Sequence, residues 1–123
     1  PNIAINLGSI SGDYSGNVSS QGFGETWFKV LITEDNNLIE GLSLRVTVNP
    51  GADTDYDLEL YNDSCSSSAL VASSRNGLGS PDSATFSWGD NWGGNDDRWI
   101  YIRVLAYNAS ACTNYSVLVE GDV

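Results

Sequence analysis

Nine consecutive residues, Gly89–Asp97, hold three Gly, three Asp, two Asn and one Trp. Such a composition resists regular structure, so the segment is a loop. Its chemistry is rich in oxygen. Asp90, Asp96 and Asp97 offer carboxylates, Asn91 and Asn95 offer amide oxygens, and Gly93-Gly94 lets the backbone curl so that carbonyls join them. An all-oxygen set suits Ca²⁺ better than a transition metal. A Ca²⁺ ion here would fix the loop and the Trp92 it carries. The alternative is a solvated loop whose Asp and Asn side chains make their own turns. A second acidic run, Asp53-Thr54-Asp55-Tyr56-Asp57, spaces carboxylates at i, i+2 and i+4, as an EF-hand loop opens. That motif needs Gly at its sixth position and Glu at its twelfth, and Leu58 and Ser64 stand there instead. Asp55 and Asp57 remain candidate ligands. Against this, Asp53 is a turn residue and the others are solvated or paired with Arg45 or Arg103.

The residues after the loop offer a different chemistry. From Arg98 to Tyr107 the chain alternates, with Ile100, Ile102, Val104 and Ala106 on one face. Trp99, Tyr101, Arg103, Leu105 and Tyr107 fall on the other. Period 2 is the signature of a strand. The first face is core, whereas the second is largely aromatic where water alone would favour polar residues. Sugars bind to proteins by laying an apolar ring face on Trp or Tyr while polar groups bond the hydroxyls. Trp92, Trp99, Tyr101 and Tyr107 supply the rings, and Arg98, Arg103, Asn91 and Asn95 the polar groups. Two other arrangements fit the same stripe. The segment Ser11–Gly24 covers it as a second small core, or cross-strand aromatic pairs stabilise the sheet.

Other chemistries are poorly supplied. The chain has no His, which removes the usual Ser-His and Cys-His nucleophile arrangements. Carboxylate pairs are plentiful, yet a glycosidase also needs a cleft that raises one pKa and holds a distorted sugar. We therefore expect no enzyme. With 5 Lys+Arg against 16 Asp+Glu, the chain lacks the basic cluster that nucleic acid or an anionic membrane surface requires. No apolar run approaches the ~20 residues of a membrane span. Cys65 and Cys112 each follow a long strand, in turn-like segments Asn62–Ser68 and Asn108–Asn114. They are expected to form one disulfide joining loops at the same end of the fold, worth about 4 kcal/mol by loop entropy. That favours an oxidising, extracellular setting. Four N-x-S/T sequons, at Asn17, Asn62, Asn108 and Asn114, are the sort that arise by chance in an Asn- and Ser-rich chain.

The elements that must position these groups are all strands. Asn2–Ser9 is a short one with Ile3, Ile5 and Leu7 on one face. Glu25–Thr33 turns Phe28, Val30 and Ile32 inward, and Trp27 and Lys29 outward. Leu42–Val48 alternates most cleanly, and Asn49-Pro50-Gly51 ends it. Asp55–Tyr61 turns Tyr56, Leu58 and Leu60 in, and Asp55, Asp57, Glu59 and Tyr61 out. Ala69–Ser73, Ser83–Trp88 and Tyr115–Glu120 complete the set, while Ser11–Gly24 is a loop. About seven to eight short strands between Gly, Asn, Asp and Ser turns predict an all-β, antiparallel β-sandwich of jelly-roll type. The 123 residues make one domain, 1–123. Without a signal peptide, the chain is read as a mature fragment or a domain cut from a longer protein.

The runs ETWFKVLIT, LSLRVTVNPGADTDYDLELY, LVASSRNG and DRWIYIRVLAYN…TNYSVLVEG, in this order and spacing, resemble the bacterial pre-peptidase C-terminal domain. The resemblance runs from about Leu7 to Gly121. It implies a secreted, non-catalytic β-sandwich module appended to proteases, chitinases and other polymer-degrading enzymes. Some similar domains bind polymer, including collagen, and some bind Ca²⁺. The expected partners are an insoluble or extended extracellular polymer, polysaccharide favoured, and the catalytic domain of the parent enzyme. The rivals are a ligand-free spacer or processing domain and a module that binds collagen or another protein fibre.

Overall fold

The longest strand runs from Arg98 to Asn108 and lies in the middle of a five-stranded sheet. The computed structural model describes residues 3–35, 41–50, 54–76, 80–89, 97–108 and 114–123, without the side chains of Tyr107 and Asn108. Among these residues nine strands form. In chain order they are β1 Ile5–Ser11, β2 Gly16–Phe23, β3 Thr26–Thr33, β4 Leu42–Pro50, β5 Asp55–Asn62, β6 Leu70–Ser74, β7 Asp82–Trp88, β8 Arg98–Asn108 and β9 Asn114–Gly121. One sheet has the order β1-β3-β8-β5-β6 and the other β2-β9-β4-β7. The two stack as an open β-sandwich, which is the architecture the alternation predicts.

The core lies between the inner faces. Leu42, Leu44, Val46 and Val48 of β4 are fully buried, as are Phe28, Val30 and Ile32 of β3 and Ile100, Ile102 and Val104 of β8. Val117 and Val119 of β9 and Tyr56, Leu58 and Leu60 of β5 complete it. One end is plugged by aromatic rings. Tyr115 sits 4.5 Å from Tyr56 and 6.5 Å from Phe28, centroid to centroid. The Tyr56 hydroxyl accepts the Gly24 N–H at 3.1 Å, and the Tyr115 hydroxyl donates to the Gly24 carbonyl at 3.3 Å. These bonds carry the buried phenols' polar ends out to the backbone.

Several sequence expectations are corrected. Residues 16–23 form β2, not a loop, and pair with β9 along their whole length, from Gly16↔Gly121 to Phe23↔Asn114. The strand escapes a hydrophobic pattern because Val18 is the one large apolar residue on its inner side; Phe23 is 62% exposed. The sandwich is also not purely antiparallel: β1 runs parallel to β3, with β2 crossing to the other sheet between them. In and before β1 only one of the three expected inner residues, Leu7, packs against the core, and it is partly buried. Ile3 and Ile5 are exposed, and Ile10 is buried instead. The register slips between Asn6 and Ser9, where Gly8 takes φ +95° and donates its N–H to Asn6 Oδ1 at 2.9 Å. This bulge swaps the faces of the strand.

The described residues that flank the two cysteine segments lie at opposite ends of the β5–β8 pair. In the antiparallel β5–β8 pair, Asn62 lies opposite Ile100 and Asp55 opposite Asn108. Cys65 follows Asn62, and Asp63 bonds to the Trp99 carbonyl there. Asn108 and Asn114, which flank the segment holding Cys112, lie at the other end, one β5 length or about 23 Å away. A disulfide needs Cα atoms within about 7 Å, and Cys65 carries a free thiol. Cys112 itself lies outside the described residues.

Candidate functional site on the outer face of the five-stranded sheet

The outer face of β8 is flanked by β3 and β5, and cross-strand register sets the neighbours. Trp27 lies opposite Arg103, Lys29 opposite Tyr101 and Leu31 opposite Trp99. On the other side Glu59 lies opposite Arg103 and Tyr61 opposite Tyr101. The structure therefore brings Trp99, Tyr101 and Arg103 together on one surface, as the alternation predicts. It adds Trp27, Lys29, Glu59 and Tyr61, which the candidate set omits. Trp27 and Lys29 carried a signal, since both read as outward-facing on their strand; what the sequence withholds is that β3 lies beside β8.

The rings on this face are engaged. Trp27 and Tyr61 reach over β8 from either side and meet at 5.0 Å between centroids. The Arg103 guanidinium stands 5.6 Å from the Trp27 ring, and the Lys29 ammonium 5.0 Å from the Trp99 ring. Both are cation–π distances. Arg103 also bonds Glu25 at 3.0 Å and Glu59 at 3.4 Å. The buried Glu59 accepts from the Tyr61 hydroxyl at 2.6 Å and lies 3.8 Å from Arg75. Burial raises the Tyr61 phenol above its usual range, and the bond to Glu59 raises it further. The hydrogen bond to Glu25 raises Arg103, so its charge is secure. Glu59 and Tyr61, read as solvent-facing, are buried at 7% and 6% exposure because this network and the Trp27 ring cover them. The stripe is thus in part a cross-strand packing surface. Tyr101, half-buried in the register row between Lys29 and Tyr61, has no ring contact of this kind among the described residues.

Other candidates are placed elsewhere. Arg98 shares the alternation of Ile100 and Ile102, so it lies on the opposite face from Trp99. Its guanidinium stands 5.1 Å from the buried Trp88 ring. Trp92, Asn91, Asn95, Asp90 and Asp96 lie outside the described residues, as does the Tyr107 side chain. Asp97 Oδ1 accepts the Glu34 N–H at 2.6 Å and so clasps the start of β8 to the chain leaving β3. Asp55 is buried, with Oδ1 lacking any hydrogen-bond partner, and Asp57 is half-buried. Burial, then the neighbouring Asp55, raises the Asp57 pKa, while Arg75 opposes the shift. No group of three or more His, Cys, Asp or Glu among the described residues is spaced to hold a metal ion. The described Asp55, Asp57 and Asp97 do not gather into a site for the expected Ca²⁺, and Asp90 and Asp96 lie outside the described residues.

The outer face of the four-stranded sheet differs in character. Ser43, Arg45 and Thr47 of β4 lie beside Ser83, Thr85 and Ser87 of β7. Arg45 is paired with Glu120 at 3.1 Å and borders two open concavities of about 370 and 250 Å³. Neither gathers the buried titratable pair that acid–base chemistry needs. No helix among the described residues is long and apolar enough to cross a membrane.

No protein-family model matches the chain, and no curated protein matches it in sequence. Solved structures do. The pre-peptidase C-terminal domain of collagenase from Bacillus anthracis superposes with a TM-score of 0.57 at 13% identity, covering 97% of this chain and 96% of that one. The periplasmic g-type lysozyme inhibitor PliG of Aeromonas hydrophila gives 0.43 at 12% identity, over 93% and 96% of the two chains. A Bacillus thuringiensis Cry1Da tryptic core variant gives 0.48 at 9% identity, covering 93% of this chain and 24% of that one. The order of strands read from the sequence thus has its counterpart in space: the chain folds as a β-sandwich similar to the pre-peptidase C-terminal domain.

Proposed function

We propose that the chain is a non-catalytic accessory module of a secreted, polymer-degrading enzyme, holding the catalytic domain on an extended extracellular polymer, with polysaccharide favoured. The observation that carries this reading is coextension. Nearly all of this chain matches nearly all of a domain that belongs to a collagenase, so the likeness is one of whole modules. The outer face of β3, β8 and β5 supports the binding role. It gathers Trp27, Trp99 and Tyr101 with Arg103 and Lys29 on one regular surface, which suits a repeating ligand. Tyr101 is the ring we assign to stacking, with Trp92, which lies outside the described residues, as a second candidate.

A second reading, a ligand-free spacer, is favoured by one observation: cations already stand over Trp27 and Trp99. Co-sedimentation with insoluble chitin, cellulose and collagen separates the readings. Binding to a polysaccharide that is lost in Tyr101→Ala or Trp92→Ala at unchanged thermal midpoint is the expected result. Binding to collagen alone would replace polysaccharide by protein fibre. No binding to any of the three, with tryptophan fluorescence unmoved by soluble glycans, would leave the spacer.

A further inference from the structure

Exposed apolar side chains gather along one edge of the sandwich. Of the seven large hydrophobic residues exposed among the described residues, four lie between Ile3 and Phe23: Ile3, Ile5, Tyr14 and Phe23. They belong to β1, β2 and their flanks, and these two strands lie against each other where the sheets end.

β2 is also an open edge. Its eight residues pair with β9 in unbroken register, and among the described residues no strand pairs with its other side. Such an edge is a template for another chain unless something blocks it. The remaining edges are blocked. β1 carries the Gly8 bulge, β6 is only five residues long, and β7 begins beside Pro81 with the buried, inward carboxylate of Asp82. β2 has no bulge, no proline and no charge. From Tyr14 to Gly24 not one residue is charged, in a chain of net charge −11. The one charged residue that β9 sets against β2 is Glu120, opposite Asn17, and Arg45 pairs with it at 3.1 Å.

The strand is complementary to itself. Cross-strand partners share a face of the sheet, so a two-fold axis perpendicular to the sheet passes through a residue. Placed at Ser19, it sets Ser19 against Ser19 of the partner subunit and Asn17 against the partner's Gln21. It also sets Val18 against the partner's Ser20 and Gly16 against the partner's Gly22. Asn17, Ser19 and Gln21 are exposed on the outer face, so each asparagine amide meets a glutamine amide, and both donate and accept. The same axis carries the exposed Phe23 to the end of the partner strand that holds the partner's Tyr14.

We infer that two copies of this chain pair antiparallel through β2, joining their four-stranded sheets into one of eight strands. The axis keeps the outer faces of both five-stranded sheets on the same side. Given the binding role proposed above, the pair offers one polymer two faces and gains avidity. The pairing itself does not depend on that role.

The test is sedimentation velocity of the wild-type chain from micromolar to millimolar concentration. We expect a reversible monomer–dimer equilibrium. Ser19→Lys sets two ammonium groups face to face on the axis and should weaken association about ten-fold or more, as should Ser19→Glu. Mixed in equal amounts, the two variants should associate again, because opposite charges now meet. Only a contact of Ser19 with itself predicts that rescue. A monomer at every concentration overturns the inference. So does a dimer that survives Ser19→Lys, or one that the mixture fails to restore, because the contact then lies elsewhere. Should either variant fail to fold, amide exchange of the wild type decides. Exchange in β2 must slow as concentration rises, and a rate independent of concentration refutes the pairing.

Discussion

Replacing Arg103 by Ala distinguishes a ligand-binding arginine from a structural one. A binding arginine on an outer face is expendable for folding. Here the guanidinium bonds Glu59, whose side chain is 10% exposed, and Glu25, whose side chain is 50% exposed. It also covers the Trp27 ring at 5.6 Å. The exposed Glu25 contact is worth well under 1 kcal/mol after solvent screening. Losing the partner of a fully buried carboxylate costs about 3–5 kcal/mol. Glu59 keeps the Tyr61 hydroxyl at 2.6 Å and Arg75 at 3.8 Å, so the loss falls below that range, to about 2 kcal/mol. The cation–π contact adds about 0.5–1 kcal/mol. Arg103→Ala should therefore cost about 2.5–3 kcal/mol in urea unfolding at neutral pH. In a Glu59→Gln background the same change should cost about 1 kcal/mol, because no buried charge is stranded. Arg103→Lys should recover little, since one ammonium does not replace a fork serving two carboxylates. A cost below about 0.5 kcal/mol, or equal costs in both backgrounds, would refute the structural role and return Arg103 to the ligand-binding set.

Two further substitutions probe the frame that holds this face. A Cβ on Gly121 would overlap the Ser11 carbonyl oxygen, which is backbone and has no rotamer with which to yield. Gly121→Ala should cost about 3 kcal/mol by thermal or urea unfolding, whereas Gly16→Ala, facing open space, should cost about 1 kcal/mol or less. Asp13 is buried, accepts the Asp35 N–H at 3.1 Å and the Ser11 hydroxyl at 2.9 Å, and so fastens the turn after β1 to the chain leaving β3. Asp13→Ala should cost about 2 kcal/mol, and hydrogen exchange at Asp35 should speed up more than exchange in β4.

Strands that bury one face against water were readable from alternation alone. β4 is the clearest case, each of its four apolar residues being fully buried. β2 was missed because an edge strand needs only backbone partners, and Gly, Ser and Asn pair as well as Val does. The β1 bulge was missed because a single Gly at positive φ reverses a face without changing composition. In the candidate site, Trp99, Tyr101 and Arg103 were legible as one face of one strand. Lys29, Glu59 and Tyr61 were not joined to them, because strand adjacency is a property of topology, not of local spacing. Arg98 shows the same limit from the other side. It is adjacent in sequence to Trp99, yet the pleat sends it to the other face, onto Trp88.

The last strand of the chain is an inner strand of its sheet, with β2 on one side and β4 on the other. Gly16 meets Gly121 across that sheet, although most of the residues of the domain separate them in sequence. The four-stranded layer therefore cannot assemble progressively during synthesis. Until Asn114–Gly121 leave the ribosome, β2 has no partner and β4 is bare along one side. Pairings so distant in sequence slow folding, because loop closure precedes any gain from contact. A chain stopped before Asn114 would display two open strand edges, the kind of surface that recruits other chains. The arrival of β9 thus decides whether a newly made molecule matures or aggregates.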